Sequence, residues 1–284
     1  MTLKLALIGQ SLSQSKMPKL QKYLAEREGI GLDYSIHDLK ETPEKDPIHY
    51  LLQLKEQGFS GLNVTHPYKQ QVYPIITRAQ KAGQEKIGAY NTIRFHQDDL
   101  LGSNTDFSGF MQAWRYHFES RAPGKVLIAG SGGVGHAIAH ALLDLGANEL
   151  ILVDLDHGKS EKLMHSLQKQ EQGSSCSIRV IATHTIADHM NNVDGLVNCT
   201  TQGTSASPQS AFPIEMIGTQ QWGFDAVYTP LQTRFLIACQ KAGLDTLSGF
   251  DLWVFQGIDA FNNFTGAEVC ASKALLEYAR NLVN

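Results

Sequence analysis

A glycine-rich turn and the acidic residue that follows it have the types and the spacing needed to hold a dinucleotide. The apolar run Lys125–Ala129 leads into Gly-Ser-Gly-Gly-Val-Gly over residues 130–135, then into a helical pattern over 136–145 and an apolar run before Asp154. Gly130 and Gly132 carry no Cβ, so the backbone can turn sharply and approach a pyrophosphate. Free amides at the helix start meet the phosphate charge, and a carboxylate about 20 residues further on accepts hydrogen bonds from ribose hydroxyls. Glycine clusters also form ordinary turns, but the order of these elements favours a dinucleotide site.

The acidic residues at the end of the second strand also predict which dinucleotide is bound. Asp154 and Asp156 stand there, and the next Lys or Arg is Lys159. A site for NADP usually has a cation at this place to meet the 2′-phosphate. A carboxylate would repel that phosphate, so the sequence predicts NAD rather than NADP.

Polar segments in the first part of the chain interrupt apolar surroundings where predicted strands end. They are residues 11–15, residues 63–69, and residues 88–92 together with 102–106. In parallel sheets, binding groups collect at the carboxyl ends of the strands. The amides, hydroxyls, one lysine and one aspartate of these segments suit a polyhydroxylated substrate with a carboxylate.

The elements that must position these residues alternate between strands and amphipathic helices. This pattern predicts an α/β protein with mainly parallel sheets. We expect two domains: an N-terminal α/β substrate domain, and a Rossmann-type doubly wound dinucleotide-binding domain. The expected substrate domain covers residues 1–105 and is joined by C-terminal helices over 250–284, while the dinucleotide domain covers 106–249.

Composition excludes several classes of protein. The 284 residues, with a net charge of −4 and a pI near 6.2, argue against a nucleic-acid surface. No apolar run has membrane-spanning length, and the apolar run near the N-terminus is too short for a signal peptide. The four cysteines are widely spaced, as in reduced cytoplasmic proteins rather than in zinc sites or disulfide frameworks. We therefore expect a cytoplasmic protein, a monomer or homodimer, whose partner is a small-molecule substrate.

Several blocks of residues together resemble the shikimate dehydrogenase family. They are Gly-Leu-Asn-Val-Thr-His-Pro-Tyr-Lys over 61–69, Gly-Ala-Tyr-Asn-Thr over 88–92, Gly-Ser-Asn-Thr-Asp over 102–106, the glycine turn over 130–135, Asn-Cys-Thr-Thr-Gln-Gly over 198–203, Asp-Ala-Val-Tyr-Thr-Pro over 225–230, and residues 249–256. Asp154-Leu155-Asp156 replaces the Asn-Arg-Thr pattern typical of NADP-dependent members. In this respect the chain resembles the NAD-dependent quinate/shikimate dehydrogenase branch.

The resemblance implies a reaction and a catalytic pair. The implied reaction is a reversible hydride transfer between a ring alcohol and nicotinamide, which gives a 3-dehydro ketone in the shikimate pathway of aromatic amino acid biosynthesis. Lys69 and Asp106 match the family's catalytic pair, and alcohol oxidation does need a group that removes the hydroxyl proton. Whether Lys69 carries that proton or positions the substrate is left open. The competing interpretation is a solvated lysine and a helix N-cap aspartate.

The substrate residues also come from the resemblance. Ser15 matches the first serine of a Ser-x-Ser/Thr-Pro loop that holds the substrate carboxylate, and Gln10 and Ser11 lie close to it in sequence. The residues that match groups contacting the ring hydroxyls are Asn63, Thr65, Asn91 and Gln256, and Tyr228 matches a tyrosine that reaches the carboxylate.

One residue of that loop departs from the family pattern. Met17 stands where the loop has its second hydroxyl, which removes a donor to the carboxylate. A hydrogen bond to a charged group contributes roughly 1.5–3 kcal/mol. The sequence therefore leaves open shikimate, quinate or a related ring hydroxy acid such as an amino-substituted shikimate. A ligand-sensing module without turnover is the alternative of another class, which retention of both Lys69 and Asp106 disfavours.

The predicted cofactor contacts lie in the second half of the chain: Gly130, Ser131, Gly132, Gly133, Val134, Asp154, Asp156, Asn198, Thr200, Gly203, Val227 and Gly249. For Asn198 and Thr200 a plain strand terminus is the competing interpretation. His136 and His140 lie four residues apart, but no third ligand is near them in sequence, so we expect no metal site there. His66 is expected to pack in its turn, and Trp253 and Phe255 are expected in the core.

Overall fold

The computed structural model describes residues 2–41, 46–81, 83–169 and 176–283. The chain divides into two compact units. Unit 1 comprises Met1–Gly109 with Val254–Asn284, and unit 2 comprises Phe110–Trp253. The functional domains expected over residues 1–105 with 250–284 and over 106–249 stay a prediction, because compactness alone does not assign a role.

Strands and helices alternate along the chain, and we number each kind in chain order. The strands are β1 (Leu3–Gly9), β2 (Leu32–Asp38), β3 (Gly61–Val64), β4 (Arg78–Ala79), β5 (Thr92–His96), β6 (Asp99–Ser103), β7 (Lys125–Ala129), β8 (Glu149–Val153), β9 (Ser177–Val180), β10 (Gly195–Asn198), β11 (Trp222–Asp225) and β12 (Asp245–Ser248). The helices are α1 (Met17–Arg27), α2 (Pro47–Glu56), α3 (Thr105–Phe118), α4 (Gly133–Asp144), α5 (His157–Gln168), α6 (Ile186–Met190), α7 (Arg234–Lys241), α8 (Gly249–Thr265) and α9 (Lys273–Val283). The α/β prediction is confirmed.

Unit 1 is built on a mixed six-stranded sheet with the order β2-β1-β3-β5-β6-β4. β1 pairs in parallel with β2 and β3, whereas β5 pairs antiparallel with both β3 and β6. The β5–β6 hairpin departs from the parallel sheet expected from the sequence. It turns at Gln97, a non-glycine residue with φ +54° that carries no glycine signal for a tight turn.

Unit 2 has a six-stranded sheet in which every pair is parallel, in the order β12-β11-β10-β7-β8-β9. The strand order reverses direction between β7 and β10, which is the switch point of a doubly wound sheet. The near-continuous apolar strands β7, β8 and β10 are buried, as parallel strands covered on both faces require. The Rossmann-type fold predicted for this part of the chain is therefore confirmed.

Helix α8 approaches α3 and α1 closely within unit 1. A Cβ added at Gly109 would lie 2.6 Å from the Gln256 backbone nitrogen, and one added at Gly257 would lie 2.7 Å from the Leu20 side chain. Both glycines therefore allow the helix backbones to come together, and they fix where Gln256 stands. In the part of the chain that the structure describes, no helix is both long and apolar enough to cross a membrane.

Candidate active site

Lys69 and Asp106 meet inside unit 1. Lys69 lies in the turn after β3, and Asp106 lies in the first turn of α3. The Lys69 Nζ donates a hydrogen bond to Asp106 Oδ2, and the two side chains are only 14% and 9% exposed. A charged pair so little exposed costs desolvation energy, so it is weak evidence for stability and fits a role in chemistry.

The alternative interpretation of Asp106 as a helix N-cap is wrong. The cap of α3 is Asn104, whose Oδ1 accepts a hydrogen bond from the Phe107 backbone N–H at 3.0 Å. Asn104 itself is buried and held by its Nδ2, which donates to the Ala89 carbonyl at 2.9 Å. The Asp106 carboxylate is thus free of capping and faces Lys69, while the positive end of the helix dipole favours its charge.

The segment that carries Lys69 is held by backbone and side-chain hydrogen bonds. The Tyr90 backbone N–H donates to the Lys69 carbonyl at 3.1 Å, and buried Tyr68 accepts a hydrogen bond from Gln10 Nε2 at 2.9 Å. His66 is exposed, and its carbonyl accepts the Gln10 backbone N–H at 3.0 Å. His66 therefore contributes a turn contact through its backbone.

Three predicted ring-hydroxyl residues, Asn63, Asn91 and Gln256, belong with Thr105 to one hydrogen-bonded set, which we call the amide network. Asn63 Nδ2 donates to the Asn91 carbonyl at 3.2 Å. Asn91 Oδ1 accepts from the Thr105 backbone N–H at 2.7 Å and from Thr105 Oγ1 at 3.1 Å. Thr105 Oγ1 also lies 3.2 Å from Gln256 Oε1, so its single hydroxyl hydrogen can be donated to either of these oxygens. These side chains therefore have defined orientations, and the network ends beside Asp106.

Tyr34 is a member of this site that the sequence did not reveal. Its hydroxyl donates to Asn63 Oδ1 at 2.8 Å from strand β2, and burial raises the pKa of Tyr34. Asn63 Nδ2 also donates to Thr92 Oγ1 at 3.0 Å. Both amide hydrogens of Asn63 are therefore used within unit 1, and a ligand could reach only its oxygen.

The loop before α1 holds Ser15 and Met17 in contrasting environments. Ser15 is half-buried, and its Oγ accepts the Met17 backbone N–H at 3.4 Å. Met17 is 7% exposed, and its Sδ lies 3.5 Å from Gln21 Nε2. The Met17 thioether therefore packs between α1 and α8, next to Gly257, where the family loop would have a hydroxyl.

Asp38 anchors the same loop from the end of β2. Its Oδ1 and Oδ2 accept the backbone N–H groups of Ser11 at 3.1 Å and Leu12 at 2.7 Å. Ser11 has φ +59°, a left-handed conformation that is uncommon outside glycine. The hydrogen bond from Leu12, followed by that from Lys40, lowers the pKa of Asp38. Thr65 stands opposite this loop, with its Cγ2 close to Gly9.

The glycine turn of unit 2 lies between β7 and α4 as predicted, and α4 begins at Gly133, three residues earlier than expected. Gly130 has φ +97°, and a Cβ there would lie 2.7 Å from the Cys199 carbonyl carbon. Gly132 has φ −77° and is exposed, and an added Cβ would meet nothing within 4 Å. Gly130 is therefore required by the fold, whereas the space beside Gly132 is open to a ligand. Gly133 and Val134 open α4 and are half-buried.

The acidic end of β8 is tied to the glycine turn. Asp154 Oδ2 accepts the Ser131 backbone N–H at 2.7 Å, and Asp154 Oδ1 accepts the Asp156 backbone N–H at 2.9 Å. The Ser131 hydroxyl lies 2.9 Å from Ser160 Oγ, so both polar groups of Ser131 are engaged within unit 2. Asp156 caps α5 by accepting the Gly158 N–H, and Leu155 between the two acids is 89% exposed.

The predicted contacts after β10 and β11 surround a buried carboxylate. Asn198 Nδ2 donates to Asp225 Oδ1 at 2.9 Å, and Asn198 Oδ1 accepts from Thr200 Oγ1 at 2.7 Å. The Val227 backbone N–H donates to Asp225 Oδ1 at 3.0 Å. Gly203 has φ +103° beside the same carboxylate. These residues are thus held by Asp225, and nothing in the sequence alone distinguishes Asp225 from the rest of its block.

The remaining predicted residues of unit 2 cluster around the start of α8. A Cβ added at Gly249 would lie 2.6 Å from the Val227 carbonyl carbon, so the two residues are in close backbone contact. Tyr228 is half-buried and stacks on Trp253 with ring centroids 6.2 Å apart, and burial raises the pKa of Tyr228. Trp253 and Phe255 are buried.

The histidines on α4 are packed rather than grouped as ligands. His140 is fully buried with Nε2 3.4 Å from Ser166 Oγ, and burial lowers the pKa of His136. Within the described ranges, no three His, Cys, Asp or Glu side chains come together as metal ligands. None of the four cysteines, all of which are described, forms a disulfide.

The glycine turn and acidic residue of a doubly wound sheet, together with a mostly buried lysine–aspartate pair in a second α/β unit, are features of nicotinamide-dependent dehydrogenases. The family of shikimate dehydrogenase substrate binding domains matches residues 7–93. A quinate/shikimate dehydrogenase (NAD(+)) of Corynebacterium glutamicum is 33% identical over 272 residues, which cover 95% of each chain.

A second relative and a solved structure show comparable similarity. A shikimate dehydrogenase (NADP(+)) of Streptomyces avermitilis is 33% identical over 96% of this chain and 94% of its own. The structure of quinate dehydrogenase from Corynebacterium glutamicum in complex with NAD is similar with a TM-score of 0.89 and 31% identity, covering 99% of this chain and 98% of that chain. The chain belongs to the shikimate and quinate dehydrogenase family and is an oxidoreductase that acts on a hydroxyl group.

Proposed function

We propose that this protein catalyses the reversible transfer of a hydride between NAD and a ring hydroxyl of shikimate or quinate. The observation that carries the proposal is the mostly buried hydrogen bond between Lys69 and Asp106 in a member of this family. Both the NAD-dependent and the NADP-dependent relatives act on this class of substrate by name. The proposal extends that activity to this chain.

The proposed chemistry assigns a proton to Lys69. When the ring alcohol is oxidised, its hydroxyl proton leaves as the hydride departs, and in the reverse direction the proton returns. Lys69 Nζ is the group that accepts and donates this proton, or that holds the substrate oxygen while it is transferred. Asp106 holds the amine in place through its hydrogen bond, because its position in the first turn of α3 is fixed by the Asn104 cap.

The amide network is the proposed site for the ring hydroxyls. The Asn63 oxygen, with one acceptor position used by Tyr34, can accept one more hydrogen bond from a hydroxyl. Asn91 uses its oxygen for Thr105, and none of these hydrogen bonds uses its Nδ2, which can donate to the substrate. Ser15 and Thr65 are proposed as the hydroxyl groups near the substrate carboxylate and ring, and Tyr228 is proposed as a further carboxylate contact.

The residues of unit 2 fit a dinucleotide. The open space beside Gly132 suits a pyrophosphate, since apart from its two chain neighbours no residue has an atom within 4 Å of a Cβ built there. Amides at the start of α4, at Gly132, Gly133 and Val134, would face the phosphates because the Ser131 amide is already bonded to Asp154. When bound, NAD supplies the hydride acceptor. Asn198, Thr200, Gly203, Val227 and Gly249 form the proposed remainder of the cofactor site.

We propose NAD as the preferred cofactor. At the end of β8, the carboxylates of Asp154 and Asp156 would repel the 2′-phosphate of NADP. The residue between them is the exposed Leu155, so residues 154–156 contain no cation that could bind this phosphate. Steady-state oxidation of shikimate with each cofactor tests this preference. We expect a kcat/KM at least tenfold higher with NAD, and a clear preference for NADP would contradict the assignment while leaving the reaction class intact.

A related ring hydroxy acid is a second candidate substrate, and Met17 is the observation that favours it. An apolar thioether packed at the carboxylate loop removes one donor to an anion. Initial rates with shikimate, quinate and an amino-substituted shikimate at equal concentration separate the candidates. A kcat/KM for the amino-substituted compound above the other two would replace the first assignment.

A further inference from the structure

We propose that Asp225 is a positioning residue for the cofactor, acting through the loops after β10 and β11. This inference deepens the proposed function and rests on it. Asp225 ends β11 and is fully buried, as are Asn198 and Thr233 beside it. It therefore lies at the carboxyl edge of the doubly wound sheet, beside the strand that forms the switch point with β7.

The carboxylate joins separate stretches of the chain. Oδ1 accepts hydrogen bonds from Asn198 Nδ2 at 2.9 Å and from the Val227 N–H at 3.0 Å, and Oδ2 accepts from Thr233 Oγ1 at 2.6 Å. Thr233 caps α7 by accepting the Leu236 N–H at 3.1 Å. One side chain thus ties the loop after β10, the loop after β11 and the start of α7 together.

Several proposed cofactor contacts depend on this carboxylate. Asn198 and Val227 bond to it directly, and Thr200 is held one step away because its N–H and Oγ1 donate to Asn198 Oδ1 at 3.0 and 2.7 Å. A Cβ built on Gly203 would lie 3.7 Å from Asp225 Oδ2. These contacts fix backbone and side-chain positions over residues 198–203 and 225–227.

A buried carboxylate is a costly way to join loops, which is why we infer a role in binding. Burial raises the pKa of Asp225 to about 6, although its hydrogen bonds with Thr233, Val227 and Asn198 act in the opposite direction. A neutral amide or hydroxyl would join the same loops with less desolvation cost. The negative charge of Asp225 strengthens each of its hydrogen bonds to the two loops. Stronger hydrogen bonds hold the loops more rigidly, and a ligand site requires rigid loops.

Protonation of Asp225 should loosen the site. Each hydrogen bond to the ionised carboxylate is charge-assisted, and the neutral group keeps the same neighbours with weaker bonds. Among its partners only Thr233 Oγ1 could accept the new proton, since Asn198 and Val227 present N–H donors. Cys239 faces Asp225 from α7, and burial followed by the Asp225 charge raises its pKa to about 12, so this thiol stays neutral.

The experiment measures the dissociation constant of NAD by calorimetry from pH 5 to pH 8, for the full chain and for Asp225→Asn. Asparagine keeps the shape and removes the charge. We expect Asp225→Asn to bind NAD about five- to tenfold more weakly at pH 8, as loss of charge-assisted hydrogen bonds implies. In the unsubstituted protein, binding should weaken as the pH falls through about 6, and the variant should lack this transition.

Protonation of His136, near the glycine turn, would strengthen binding of an anionic pyrophosphate at low pH, so its effect has the opposite sign.

Asp194→Asn is the matched control. Asp194 immediately precedes β10, at the end of the strand opposite Asn198. Its Oδ2 accepts a hydrogen bond from the Lys125 N–H and its Oδ1 accepts one from Gln221 Nε2, both at 2.8 Å. We expect this variant to bind NAD as the unsubstituted protein does. A pH-independent affinity of the unsubstituted protein, or equal affinities of Asp225→Asn and the unsubstituted protein at pH 8, would overturn the inference. Absence of any NAD binding by the unsubstituted protein would instead overturn the proposed function.

Discussion

We propose that the chemistry depends on Lys69 and Asp106, and the environment of this pair differs from that of a second lysine–aspartate pair of unit 1, Lys81 and Asp259. The Lys81 ammonium lies 2.7 Å from Asp259 Oδ1, but the Lys81 side chain is 45% exposed. Partly solvated ion pairs are common and contribute little to stability. The Lys69–Asp106 pair, in contrast, is mostly withdrawn from water. A lysine amine shielded in this way can exchange a proton with a bound hydroxyl.

Lys69→Ala should lower turnover by at least about 100-fold, the usual contribution of a positioned proton-transfer group. The fold should persist, because the hydrogen bonds from Tyr90 and Tyr68 that hold this turn involve backbone atoms of residues 65–69. Initial rates of NADH formation and a thermal unfolding curve measure the two effects. Lys81→Ala is the matched control and should keep near-normal turnover. Near-normal turnover of Lys69→Ala would remove Lys69 from the mechanism.

Met17→Ser should lower the KM for shikimate by about tenfold, because a donor to the carboxylate is restored. The same change removes a buried thioether between α1 and α8, so the free energy of unfolding should fall by about 2 kcal/mol. Steady-state kinetics and denaturant unfolding measure the two quantities independently. An unchanged or raised KM would argue that this loop does not hold the carboxylate.

At the scale of elements, the turn between β7 and α4 contains glycines with two different requirements. Gly130 needs its positive φ, and Gly135 would place a Cβ 2.0 Å from the Gly130 carbonyl oxygen. Gly132 has an ordinary backbone conformation and open space around it. The fold therefore explains Gly130 and Gly135, while we propose that a bound dinucleotide accounts for Gly132.

Gly132→Ala should leave thermal stability unchanged and weaken NAD binding by tenfold or more, because the methyl group would occupy the space proposed for the pyrophosphate. Gly130→Ala is the comparison: its φ of +97° and the nearby Cys199 backbone predict a loss of stability. Thermal unfolding and NAD titration of both variants test the distinction. Unimpaired NAD binding by Gly132→Ala would contradict the proposed location of the phosphates.

The elements with strong local signals could be predicted from the sequence. Apolar runs bounded by glycines or acids identified β7 and β8, and the glycine turn predicted the order of elements around it. The β5–β6 hairpin was missed because Gln97 adopts a positive φ without glycine, and β4 was missed because it comprises two residues. These elements are set by tertiary pairing, and short-range patterns carry little information about them.

Across the whole molecule, the side chains that hold the proposed site together are harder to predict than those proposed to perform its chemistry. Lys69, Asp106 and the amides stand in recognisable blocks. Tyr34 contacts Asn63 across 29 residues of sequence, and Thr233 contacts Asp225 across 8. Such partners depend on strand register and helix placement, which an isolated sequence does not specify at the resolution of a hydrogen bond.

Asp225 should also make the stability of the protein depend on pH. Its folded-state pKa is raised to about 6 from 3.8, so the folded state holds the proton more tightly than the unfolded state. The stability associated with the neutral carboxyl is fully present below about pH 4 and is lost as the pH rises through about 6. Asp225→Asn has no such proton to lose. Relative to Asp225→Asn, the unsubstituted protein should therefore lose about 2–3 kcal/mol of unfolding free energy between pH 4 and pH 7. A difference that is constant over this range would contradict the raised pKa.

The most direct test of the central claim is the appearance of the NADH absorbance band when the protein is mixed with NAD and shikimate. We predict NADH formation that is proportional to enzyme concentration and that falls at least about 100-fold in Lys69→Ala. The same assay with quinate, with an amino-substituted shikimate and with NADP defines the substrate and cofactor. Binding of NAD and shikimate with no reduction of either cofactor by any of these substrates would contradict the account and would indicate a ligand-sensing protein.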